Sequence, residues 1–251
     1  MAKTTTNFYQ RIRNAYNRKG VKGFLSTVFY KIKLYFFQRP YWTLMHHIHS
    51  NFRARRIPSF TFQGKKYNYL YSKKNFTWRN ERSAEVPIVI DLVKDVDPSS
   101  VLEIGNVLRQ YYPIGHDIVD KYEMGPGVRN EDIIGFAPNK LYKRIVSMGT
   151  MEHIGYDFPE EKDPTKIPRA VEVQKKLLAP GGILYMSMPM GYNPNLDKLV
   201  AEDKLGITVY FMKRLSKDNE WREAKYEEVK DSRYGYPFPA SNGIYIGIYK
   251  N

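Results

Sequence analysis

The chain has 251 residues, a formal net charge of +14 and no cysteine. That length suits one α/β domain with an extra segment, and the lack of cysteine excludes a disulfide framework and any thiolate metal site. No charged start, apolar core and small-residue cleavage site marks a secretory signal.

The charge is uneven. Residues 1–57 hold 12 Lys+Arg and no acid, which marks them as a basic segment attached to a near-neutral domain over 58–251. Within it, Phe24, Val28, Ile32 and Tyr35/Phe36 recur at three- and four-residue steps, the rhythm of one helix face. Lys31 and Lys33 break the apolar run, so it is too short and charged to span a bilayer. Arg39-Pro40 ends that helix, and YWTLMHHIHSNFRARR follows, aromatic and basic. The pattern fits helices lying on an anionic membrane surface; packing on the domain with snorkelling Lys stems is the other reading. His46, His47 and His49 would diverge on a helix with no acid to complete a set, so no metal site is expected.

PSFTFQGKKYNYLYS (58–72) alternates around Gln63-Gly64 and predicts a β-hairpin. Residues 75–96 lead into a helix that Asn80 or Ser83 can cap, with Pro87 tolerable only in its first turn. Strands are then expected at 101–105, 116–120, 131–136, 142–148, 183–190, 207–215 and 243–250. A helix is expected over 166–179, stopped by Pro180-Gly181-Gly182. The alternation predicts a mostly parallel, doubly wound sheet of seven strands covered by helices, with an antiparallel edge where the last two strands meet.

Ligands of such sheets bind beyond the carboxyl ends of the strands. The residues to inspect are therefore Glu103-Ile-Gly105-Asn106, Asp120-Lys121, Glu131-Asp132-Ile133 and Ser147-Met148 through Glu152-His153. In order, VLEIG, an acid ending the second strand, IVSMGTMEHIG and LLAPGGILYMSMP resemble the class I S-adenosylmethionine-dependent methyltransferases, over roughly residues 84–250. The resemblance implies a Rossmann-like fold and S-adenosyl-L-methionine as cofactor. Glu103 would meet its ammonium, Gly105 and Asn106 its backbone-lined edge, Asp120 with Lys121 its ribose, and Asp132 with Ile133 its adenine; Ser147 and Met148 would complete the site. His153, aided by Glu152, would serve as base for a hydroxyl acceptor, and Trp78, Arg79 and Arg82 would contact the acceptor.

The sequence departs from the family's E/D-x-G-x-G-x-G: Val107 and Arg109 replace the second and third glycines. Three readings stay open. Asn106 and a wall of Tyr111 and Tyr112 rebuild the site, or binding is weak until substrate closes it, or the site is a relic on a scaffold protein. Taken together, the sequence is read as a methyltransferase acting on a glycan or lipid-linked sugar hydroxyl, cytoplasmic and peripheral at the inner membrane face. An RNA methyltransferase whose basic arm grips phosphates is the rival.

Overall fold

A computed structural model describes residue 37 and residues 39–251. Phe24, Val28, Ile32, Tyr35 and Phe36, the expected amphipathic face, lie outside the described residues. The chain divides into two compact units, Met1–Asn51 and Phe52–Asn251, shortly before the boundary expected after Ile57. In the first unit Pro40 stands in the opening turn of helix α1 (Arg39–Ile48), where its missing N–H costs nothing.

The second unit begins with an antiparallel hairpin, β1 (Ser59–Phe62) and β2 (Lys65–Asn68), closed by Gln63-Gly64 as the alternation predicts. Helix α2 (Arg82–Val93) follows, and here the structure corrects an expectation. Pro87 lies inside the helix, where it leaves the Ser83 carbonyl without its helical donor. Leu70 N–H fills that vacancy at 2.9 Å, so the hairpin's outgoing chain repairs the helix. Val86, Val89 and Val93 of α2 are fully buried, each worth about 1.5–3 kcal/mol relative to exposure.

The main sheet contains eight strands: β3 (Val101–Ile104), β4 (Asp117–Val119), β5 (Val128–Arg129), β6 (Tyr142–Met148), β7 (Leu178–Pro189), β8 (Thr208–Arg214), β9 (Trp221–Ala224) and β10 (Gly243–Lys250). Their spatial order is β5-β4-β3-β6-β7-β10-β8-β9. From β5 to β7 all pairings are parallel, and β10 runs antiparallel to both β7 and β8. The expected count of seven is thus one short. The antiparallel pairing of the last two expected strands exists, but β10 is interior, and β9 forms the edge, antiparallel to β8.

Two other expectations change. Residues 131–136 are not a strand: Asp132 accepts the Ile134 N–H at 3.1 Å and folds Ile133–Gly135 into a 3-10 turn. Helix α3 (Lys166–Lys176) stops before Pro180-Gly181-Gly182, which form a bulge at the start of β7, where pairing jumps from Tyr142↔Leu178 to Arg144↔Ile183. Buried side chains form a cluster on each face of the sheet. One joins Leu102, Ile145 and Leu184 to α3 and to α4 (Pro194–Ala201). The other joins Val101, Val146 and Tyr185 to α2 and the hairpin. Strands covered on both faces can be apolar throughout.

Candidate functional site

Strand order reverses at β3. The chain moves outward to β4 and β5, then returns to β6 on the other side, which opens a crevice at the carboxyl ends of β3 and β6. A cleft of about 390 Å³ occupies that place, within the range of small-molecule sites. Gly105, Asn106, Asp120, Lys121, Asp132, Ile133 and His153 all line it. Glu103, Ser147, Met148 and Glu152 are buried beside it and do not line it.

Glu103 explains the loop without glycines. Its Oε1 accepts the N–H groups of Val107 (2.6 Å) and Leu108, its Oε2 accepts that of Arg109 (3.3 Å), and His116 Nε2 meets Oε2 at 2.8 Å. The carboxylate thus fills the concavity of N–H groups at the head of the Leu108–Gln110 turn, the kind of place that otherwise attracts a phosphate. Val107, at φ −107° and ψ −52°, adopts a conformation open to any residue. Glycine is required only at Gly105, whose φ is +84° and where a Cβ would overlap Thr150 Oγ1. Tyr111 and Tyr112 pack on the core cluster of the α2 face and are not among the cleft-lining residues.

Around the cleft stand six carboxylates, Asp120, Glu123, Glu131, Asp132, Asp157 and Glu161, against two lysines, Lys121 and Lys166. The cleft is therefore acidic although the whole chain is basic. Asp120 Oδ1 accepts N–H groups from Tyr122 (2.8 Å) and Glu123 (2.7 Å), while Oδ2 receives no hydrogen bond among the described residues. Asn106 Nδ2 donates to Glu123 at 2.6 Å, and its buried Oδ1 has no partner among the described residues. Lys121 bonds Glu161 at 2.6 Å and Asp132 at 3.1 Å. Burial opposes its charge, but those two carboxylates hold its pKa above the ordinary lysine value. The same link, with Tyr122, pulls Glu161 down to about 2. Ile104, Val119, Ile133, Ile154 and Phe158 supply apolar wall.

At the β6 end, His153 Nδ1 lies 2.7 Å from Asp157 Oδ2. An ionised carboxylate only accepts, so Nδ1 is the donor, and in the neutral ring the lone pair is on Nε2. Tyr192 OH donates to Asp157 (3.1 Å) and its ring packs edge-on against His153 at 5.0 Å. Tyr156 and Tyr234 flank Tyr192. Glu152 is buried, its Oε1 3.7 Å from His153 Nε2. Burial lifts its carboxyl to about 8, with Arg82 pulling the other way, so it is protonated at neutral pH.

The residues expected at the acceptor have these places. Trp78 is buried, the Arg79 carbonyl accepts from Arg214 at 3.1 Å, and Arg82 pairs with buried Glu85 at 2.5 Å. None of the three lines the cleft, although the Arg82 guanidinium fills the space over Gly149. Sequence reasoning missed Asp157, Glu161 and Tyr192, and gave Thr150 no role within the stretch it singled out. Asp157 had a signal, standing four residues after His153; the others come from loops without a pattern.

No family model matches the chain, and no curated protein sequence matches it. Among solved structures it is similar to the N-methyltransferase NodS from Bradyrhizobium japonicum WM9 in complex with S-adenosyl-L-homocysteine (16% identity, 61% of this chain and 78% of that one, TM-score 0.39). It is also similar to a SAM dependent methyltransferase from Archaeoglobus fulgidus (14%, 65% and 93%, TM-score 0.38). A third is the glycopeptide N-methyltransferase MtfA complexed with S-adenosyl-L-methionine (10%, 67% and 93%, TM-score 0.39).

Proposed function

We propose that the chain is an S-adenosyl-L-methionine-dependent methyltransferase whose acceptor is a hydroxyl of a glycan or lipid-linked sugar. One observation carries the reading: an acidic cleft at the switch point of the sheet, with the adjoining N–H concavity already filled by Glu103. A dinucleotide needs those N–H groups for its diphosphate. S-adenosyl-L-methionine has no phosphate to place on them, and its sulfonium leaves it net positive, so it gains from carboxylates around it.

The residues fit that cofactor. Gly105 lets it approach the backbone, the free Asp120 Oδ2 suits a ribose diol, and Ile133 with Phe158 suits a flat base. Glu103 is not available for its ammonium; Asn106 Oδ1, buried and unpartnered, is the acceptor that remains near that end. When bound, the cofactor supplies an electrophilic methyl group.

The chain's own work is positional and acid–base. Asp157 fixes the His153 ring, and Nε2 takes the proton of the acceptor hydroxyl as its oxygen becomes the nucleophile. Tyr192 holds Asp157 in place. Tyr156, Tyr192 and the exposed Tyr234 offer flat faces with hydroxyl tips, suited to a hydroxyl-rich acceptor. RNA is disfavoured because six carboxylates would face its phosphates.

Calorimetry with S-adenosylhomocysteine tests the reading. Binding is expected, and Asp120→Asn should weaken it by about 1.5–3 kcal/mol, the worth of a hydrogen bond to a charged group. Asparagine keeps Oδ1 for the Tyr122 and Glu123 N–H groups, so stability should hold. Absence of binding by the parent chain overturns the proposal; equal binding by the variant overturns the ribose assignment.

A further inference from the structure

Helix α1 is amphipathic the wrong way round for a helix packed in water. Tyr41, Leu44 and Ile48 are 53%, 58% and 40% exposed. Their spacing of three and four residues places them on one stripe, about 60° wide at 100° per residue. His46 and His49 are 9% and 6% exposed, and Trp42 and Met45, on the same side as these histidines, are partly covered. A helix of a soluble protein turns its apolar stripe to the core and its polar face to water. Here the imidazoles are covered and the large apolar side chains face out, so the stripe has an occupant of its own.

We infer that this stripe is the face by which the protein enters the headgroup layer of an anionic bilayer. It goes beyond the proposed function and is independent of the methyl-transfer reading. The occupant is chosen by charge. The stripe lies within residues 1–57, which hold 12 Lys+Arg and no Asp or Glu, and Arg55 and Arg56 just beyond α1 are exposed. A second copy pairing through the same segment would set like charge against like, because residues 1–57 hold no acid in either copy. An anionic lipid surface offers apolar depth for the stripe and phosphate for the cations together. No helix among the described residues is long and apolar enough to cross a membrane, so α1 lies in the interface plane. Its aromatic Tyr41 suits that depth.

The native chain has no cysteine, which makes a single introduced thiol a clean probe. Leu44→Cys, on the stripe, and His47→Cys, exposed but off it, are labelled in the full chain with a polarity-sensitive fluorophore. Vesicles of phosphatidylcholine with about one-third phosphatidylserine are added. A blue shift is expected for the label at position 44 and little or none at 47, with neither shifting on pure phosphatidylcholine. In unlabelled protein, Leu44→Ser with Ile48→Ser should lower vesicle partitioning about 100-fold. Their positions are already in water, so folding should survive, and an unchanged thermal unfolding midpoint would confirm it. Equal shifts at 44 and 47, or none, overturn the inference. So does a shift at 44 that grows with protein concentration without lipid, which would make the stripe a dimer face.

Discussion

Replacing Val107 and Arg109 together by glycine would restore the spacing of the glycine-rich loop, and the structure says it should do harm. Val107 already has ordinary dihedrals, so glycine relieves nothing and costs about 0.5–1 kcal/mol through the freer unfolded chain. Val107 is partly buried against the α2-face cluster, and losing that contact costs about 1 kcal/mol more. Arg109 Nη1 donates to the Pro126 carbonyl, a partly exposed bond worth about 0.5–1 kcal/mol, and its own change to glycine adds about 0.5–1 kcal/mol. The sum is about 3 kcal/mol of lost stability, readable as a lower urea midpoint with little change in slope. Affinity for S-adenosylhomocysteine, by calorimetry, should stay within about threefold, less than 1 kcal/mol, because Glu103 still holds the three N–H groups. Tighter binding at undiminished stability would refute the reasoning: the two side chains would then be obstructing the cofactor.

Glu152→Gln should change how stability depends on pH. The folded carboxyl titrates near 8 and the unfolded one near its ordinary value, so the folded state keeps a proton that the unfolded chain releases. Parent stability therefore falls as pH rises from about 4.5 to 8, the variant lacks that slope, and by pH 8.5 it should be more stable by something on the order of 5 kcal/mol; parallel profiles would be the contrary result. His153→Ala should lower turnover by about 10²–10⁴-fold, followed as S-adenosylhomocysteine release with a sugar-hydroxyl acceptor, and an unchanged rate would leave the ring structural. Gly105→Ala should cost about 1–2 kcal/mol for its left-handed backbone plus the overlap with Thr150. Adding Thr150→Ala should recover the overlap part only, and a double-mutant cycle measured by thermal unfolding checks it.

The strands that read clearly in the sequence are those covered on both faces. ILYMSMPM and GIYIGIYK are near-continuous apolar runs because α2 and the hairpin press on one side and α3 and α4 on the other. The edge strands β5 and β9 were invisible: Val128–Arg129 is two residues long and Trp221–Ala224 is half polar. EDIIGF misled because its apolar pair suits a strand equally well, and only the side chain of Asp132, reaching forward to Ile134, decides for a turn. Position after a strand was enough to find the cleft, since the sheet's topology fixes where its carboxyl ends meet. It could not tell which way a carboxylate at that position faces. Glu103 and Asp120 both follow strand patterns, yet one is consumed by its own loop and the other keeps an oxygen for the cleft. That difference lies in where backbone N–H groups point after folding, which no residue pattern encodes.

The interior place of β10 has a consequence for how the protein is made. β8 and β9 can pair with each other as soon as both have left the ribosome, but they have no bond to the rest of the sheet except through β10, which is translated after them. Until those residues emerge, β7 presents an open edge of unpaired N–H and C=O groups, and so does β8. Such edges invite pairing with neighbouring nascent chains. The parallel half can fold while the chain is still being extended, and the remainder must wait. A pause or truncation between Ala224 and Gly243 would thus leave a half-closed sheet with two sticky edges.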